Sequence, residues 1–186
     1  MDKVFEFLLE NGVLIIWSAV ILVALVLAFP RWKRLYKIRV LYKKKKYSLC
    51  LIEAMNEFNN NPFPKSRTRA LTYVLSCALA LNEKDIFETN IVKITSTKPW
   101  YLGIKLSWET IFLLDQSDFE NAEKTYQQLC SLDDRKARAF SKSLSDIFAH
   151  FDGTILFSKE EIKRKIDSAI HPALFRIYSG ISKKIL

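Results

Sequence analysis

The sequence predicts an all-α chain, and three observations carry that prediction. Residues 13–29 read VLIIWSAVILVALVLAF, an apolar run without a charge. Residues 31–46 hold nine Lys and Arg and no acid. From residue 65 onward apolar side chains recur at helical spacing, and the 186 residues include only 4 Gly and 5 Pro, too few for a turn-rich β chain. The expected organisation is a short non-cytoplasmic N-terminus (1–12), a transmembrane helix (13–29), a basic amphipathic stalk (30–58), a linker (59–64) and a cytoplasmic helical domain (65–186).

The 17 residues of 13–29 rise about 25 Å as a helix, enough for a thin hydrocarbon core. A cleavable signal peptide is disfavoured, because its cations should precede the apolar run and here they follow it. Positive flanks stay on the cytoplasmic side. The expectation is therefore a single-pass protein, N-terminus outside and C-terminus in the cytoplasm. Trp17 near one end and Trp32 and Tyr36 near the other suit the interfacial aromatic belts. Cys50, Cys77 and Cys130 then face a reducing compartment. Their odd number and wide spacing predict free thiols, not a disulfide framework or a zinc site.

Pro30 disfavours a helical Phe29, and residues 31–58 then resume a helical pattern. Tyr47, Leu51, Met55 and Phe58 form a stripe fit to dock on the rest of the domain. Upstream, Arg31, Lys33, Arg34, Lys37, Arg39, Lys43, Lys44, Lys45 and Lys46 are the candidate contacts to anionic lipid head groups, each worth about 1 kcal/mol near such a surface. Residues 47–186 carry a net charge of only +2. No basic face covers the domain, so nucleic acid is not an expected partner.

Within the domain, Leu71, Leu75, Ala78 and Leu79 repeat the spacing of Ile104, Trp108, Ile111 and Phe112, 33 residues later. Leu81 and Leu114, Asp85 and Asp118, and Ile86 and Phe119 keep that offset, a period expected of stacked helix pairs. The stretch Asp118 to Leu129 resembles the second helix of a tetratricopeptide repeat. Ala122 takes that family's small packing position and Tyr126 the aromatic four residues on, and Ser117 with Glu120 reads as a capping box. The family's first-helix glycine falls on Thr110, the small residue is Thr89 in the earlier copy, and no proline closes the second. The resemblance covers residues 69–134. It implies a concave groove that takes a peptide or helix of a protein partner through first-helix side chains, with Asn82, Ser107 and Asp115 facing it. Leu75, Trp108, Phe112, Ala122 and Tyr126 are the expected packing residues. Further helices are predicted over 134–151 and 159–170, the latter capped by Ser158 and Glu161, with a short closing helix over 173–178.

Convergent chemistry is sparse. His150 and His171 sit at predicted helix ends, where a capping role explains them. Asp133-Asp134 and Glu160-Glu161 mark helix starts, which the dipole favours. There is no phosphate loop and no Gly-x-Ser-x-Gly elbow. The predicted role is therefore a non-enzymatic adaptor without cofactor or metal, displaying its helical domain for protein–protein interaction. The competing expectation is action on anionic membrane surfaces through the basic stalk. The order of anchor, basic flank and repeat is similar to mitochondrial outer-membrane import receptors and bacterial inner-membrane assembly proteins. The lysine-rich, glycine-poor composition favours a bacterial inner membrane.

Overall fold

The computed structural model describes residues 16–23, 33–95, 97–169 and 171–185. Residues 33–43 are helical (α1), followed by α2 (Tyr47–Asn60), α3 (Pro64–Leu81), α4 (Lys84–Ile91), α5 (Pro99–Asp115), α6 (Phe119–Ser131), α7 (Arg135–Phe151), α8 (Lys159–Ser168) and α9 (Pro172–Ile185). No strand occurs among the described residues, in keeping with the all-α class.

The expected transmembrane helix is not retained. Among the described residues no helix is long and apolar enough to cross a membrane. Residues 16–23 are helical with exposed side chains, and eight residues rise only about 12 Å against a core of about 30 Å. The rest of 13–29 lies outside the described residues. Among the described residues the longest helix, the 18-residue α3, carries Lys65, Arg67 and Arg69. The single-pass topology, the outside N-terminus and the bacterial inner-membrane location rested on that helix and fall with it.

Proline opens three helices. Pro64 and Pro99 begin α3 and α5 after extended Phe63 and Lys98, and Pro172 begins α9. Proline suits this first position because its φ is already helical and its missing N–H needs no partner there. Two left-handed residues end α3 and α5: Asn82 at φ 60° and Ser117 at φ 63°. In each case the next N–H reaches back five residues, Glu83 to the Ala78 carbonyl and Asp118 to that of Leu113, both at 2.9 Å. These closures satisfy orphan carbonyls and reverse the chain. They recur 35 residues apart, not 33. Ser117 is therefore consumed by the turn, and Asp118 caps α6 by accepting the Asn121 N–H at 3.3 Å. Ser158 and Glu161 do form the reciprocal box that starts α8.

The stretch read as a linker is the turn of a tight α2–α3 hairpin. There Asn61 donates to the buried Glu57 carboxylate and accepts the Phe63 N–H at 2.8 Å. Cys50 and Cys77 are fully buried across this hairpin, and the Cys50 thiol donates to the Ile38 carbonyl of α1 at 3.5 Å. The neighbouring Cys50 sulfur and burial push the Cys77 thiol up, so it stays protonated. Cys130 is a free, exposed thiol.

Helix α5 lies between two apolar clusters. Its Ile104 and Phe112 join Leu71, Leu75 and Phe87 on one side, while Leu106 and Leu114 join Leu129, Leu144 and Ile147 on the other. Tyr126 stacks on Phe148 at 4.1 Å and donates to the Ser141 carbonyl, joining α6 to α7. Trp108 and Tyr126 are half-buried, so Trp108 is not the fully enclosed core residue its spacing suggested. At the α5–α7 crossing, a Cβ on Gly103 would meet the Ala137 Cβ at 3.1 Å. Glycine here permits a close approach that α7 needs in order to stand beside α5. The last helix is longer than expected. Rather than closing only the final pair, α9 packs on α3 and α5 as well as α8.

Candidate functional site

Three helices that are not neighbours in sequence, α3, α5 and α7, line one groove of about 330 Å³. Thr72 comes from α3, Ile104, Ser107 and Trp108 from α5, and Phe140 and Ser143 from α7. Trp100 at the start of α5 faces Phe140 with ring centroids 6.5 Å apart. The lining is largely aromatic and aliphatic, and its serine and threonine hydroxyls are internally occupied. Thr72 Oγ1 donates to the Arg69 carbonyl, Ser107 Oγ to that of Ile104 and Ser143 Oγ to that of Phe140. Such a surface offers apolar contact with little competing polarity.

Of the three residues expected to face a partner, only Ser107 lies in this groove, and it is buried. Asn82 and Asp115 meet elsewhere, in a pocket of about 360 Å³ at the turn ends of α3 and α5. Asp115 is not free there. Arg176 from α9 donates through Nε to both carboxylate oxygens at 2.9 and 3.1 Å, and through Nη2 to Oδ2. The same Nη2 donates to the Leu79 carbonyl at 2.7 Å, so one guanidinium closes the ends of α3 and α5. Sequence reasoning did not find Thr72, Trp100 or Phe140. The signal was present in Pro99-Trp100-Tyr101, a helix start carrying two adjacent aromatics.

The candidate lipid contacts lie along α1 and the turn after it. Lys33, Arg34, Lys37, Arg39, Lys43, Lys44, Lys45 and Lys46 are all exposed, and Lys37 pairs with Glu53 at 2.6 Å. Arg31 lies outside the described residues.

One buried cluster has the outline of a nucleophile and its base. Ser76 Oγ lies 2.7 Å from the Tyr42 hydroxyl and 3.1 Å from His171 Nε2. The proton positions decide against that reading. Nδ1 of His171 accepts the Ala173 N–H at 3.2 Å, so the ring proton sits on Nε2, which donates to the Ser76 carbonyl at 2.9 Å. No imidazole lone pair faces the serine hydroxyl. His171 is instead the N-cap of α9, its own carbonyl accepting the Phe175 N–H. Burial also pushes the Tyr42 hydroxyl up to about 12.

Burial holds the His171 imidazole below its usual pKa; the Ser76 carbonyl and Asp115 oppose that, and Arg176 adds to it. The sign follows. Near pH 6.5 the unfolded chain takes up a proton that the folded imidazole resists, so its contribution is intact above about 6.5 and is lost as pH falls further. Urea titrations at pH 7.5 and 5.5 should show a larger loss of stability for the native chain than for His171→Asn, which keeps a capping oxygen but does not titrate. Equal losses would mean that His171 is not the linked group.

Among the described residues no group of three His, Cys, Asp or Glu is placed to hold a metal ion. Comparison with protein families, curated proteins and solved structures finds no match for this chain.

Proposed function

We propose that the chain is a protein-interaction module that holds an apolar segment of a partner protein between α3, α5 and α7. One observation carries the reading: three sequence-distant helices converge on a groove lined by the half-buried Trp100, Trp108, Ile111 and Phe140 while its serine and threonine hydroxyls are already bonded. A partner docking there would remove aromatic and aliphatic area from water beside serine and threonine hydroxyls that already have partners. The family resemblance points the same way, although the groove, not the resemblance, supports the proposal.

A photo-crosslinking amino acid at Thr72 or Ser143 tests it in cells, with Gln128 on the exposed face of α6 as reference. Adducts from Thr72 and Ser143 should map to the same short segment of one partner, and Gln128 should yield none. Adducts that scatter over many proteins, or that form equally from Gln128, would overturn the reading.

A further inference from the structure

A second, larger groove of about 1070 Å³ adjoins the first. Thr68 and Tyr101 line both, so the two form one continuous surface. The floor of the second groove includes Phe58, Leu71 and Ile94, and its rim carries Lys65, Arg67, Lys93 and Lys98. Among the described residues none that lines it is acidic. Two of these cations touch neutral groups. Arg67 Nε donates to the Phe58 carbonyl at 3.1 Å with its guanidinium 5.1 Å from the Phe58 ring centroid. Lys93 donates to Asn90 Oδ1 at 2.8 Å and lies 5.5 Å from the same centroid. The first turns of α3 and α5 also lack an acid. Four positive side chains thus share a concave surface whose described lining includes no carboxylate, in a domain whose overall balance from residue 47 is nearly even. Concave walls concentrate such a field, and a complementary anion relieves it.

We propose that this basic groove is a specificity site for a carboxylate-rich stretch flanking the apolar segment held between α3, α5 and α7. The partner motif is an acidic peptide with an aliphatic or aromatic anchor, an inference that rests on the docking role proposed above. The juxtaposition selects a peptide over a nucleic acid. A nucleic-acid strand needs a basic track that continues along its backbone. Here the surface beyond Thr68 and Tyr101 turns apolar, with Arg69 the one charged residue lining it among those described.

The test is selection of a phage-displayed random library, with peptides of roughly 12 residues, on the full chain. Fluorescence anisotropy of the selected peptides then follows, on the native chain, Lys65→Glu/Lys98→Glu and the milder Lys65→Gln/Lys98→Gln. Both positions are exposed, and unchanged helicity by circular dichroism confirms the fold of the variants. Selected peptides should pair Asp or Glu with a neighbouring aliphatic or aromatic residue. Charge reversal should weaken them by about tenfold or more, the neutral pair by less, and added salt should reduce the difference. Apolar peptides without acids, insensitive to charge reversal, would overturn the specificity site and leave the docking groove standing. Failure to select any peptide would overturn both. An oligothymidylate of about 12 nucleotides that outbinds the best peptide and is lost on charge reversal would overturn the peptide assignment in favour of nucleic acid.

Discussion

Asp115→Ala is expected to destabilise the folded chain by about 3 kcal/mol, with a matching fall in the urea midpoint. The carboxylate is only 4% exposed and receives two hydrogen bonds from Arg176 Nε and one from Nη2. Removing it leaves the guanidinium fixed against the Leu79 carbonyl without its counter-charge. Arg176 keeps one-third of its side chain in solvent, which places the cost at the low end of the range for a broken buried pair. The pair spans 61 residues of sequence and anchors α9 to the C-terminal ends of both α3 and α5. A double-mutant cycle with Arg176→Met isolates the contact, and a coupling above about 1 kcal/mol is expected. If the single losses simply add, the ion pair is geometric only. Asp115→Leu combined with Arg176→Met should be milder than Asp115→Ala alone, because no buried charge is left unpaired.

That pair also shows where sequence reading stops. Asp115 looked like a groove residue because the tetratricopeptide resemblance mapped it onto a first-helix position facing the groove. The helix turns set a different register. Asn82 and Ser117 adopt the left-handed conformation 35 residues apart, and two residues of helix rotate a side chain by about 200°. Local signals were legible: Ser158 with Glu161 at the start of α8 and the apolar spacing of α3. Each depends on residues within a turn or two of one another. The partner of Asp115 depends on how α9 lies across α3 and α5, which no short-range pattern encodes. The α5–α7 approach is similar, since Gly103 is informative only once Ala137 is known to stand opposite it. The apolar run 13–29 was read by the same local logic. Among the described residues that logic produced a helical 16–23 but no helix able to cross a membrane. The groove between α3, α5 and α7 was visible only as a family expectation, and just one of its three proposed contacts, Ser107, lies in it.

Phe87→Ala should produce the largest loss of any single core truncation considered, about 3–5 kcal/mol. Phe87 is 1% exposed and stacks on Phe112 of α5, with centroids 4.5 Å apart and planes 14° from parallel. The size of the ring sets most of the cost, because its removal opens a cavity between α3, α4 and α5 that neighbours only partly refill. Its position sets the character of the loss. Helix α4 has eight residues, too few to persist without tertiary contacts, and its extensive packing is on α3. The ring is its aromatic tie to α5. Hydrogen exchange should therefore rise first at the amides of α4 and of the turn that follows it, before the rest of the core. Phe87→Leu should keep more than half of the stability, since it retains most of the buried volume. Uniform acceleration across all helices would mean that α4 opens only with the whole domain. A loss below about 1 kcal/mol would mean that Phe87 is not enclosed between α4 and α5 at all. Lys93 and Ile94, on the rim and floor of the basic groove, follow α4 directly. Loosening α4 by this substitution should therefore weaken acidic-peptide binding even though Phe87 itself does not line that groove.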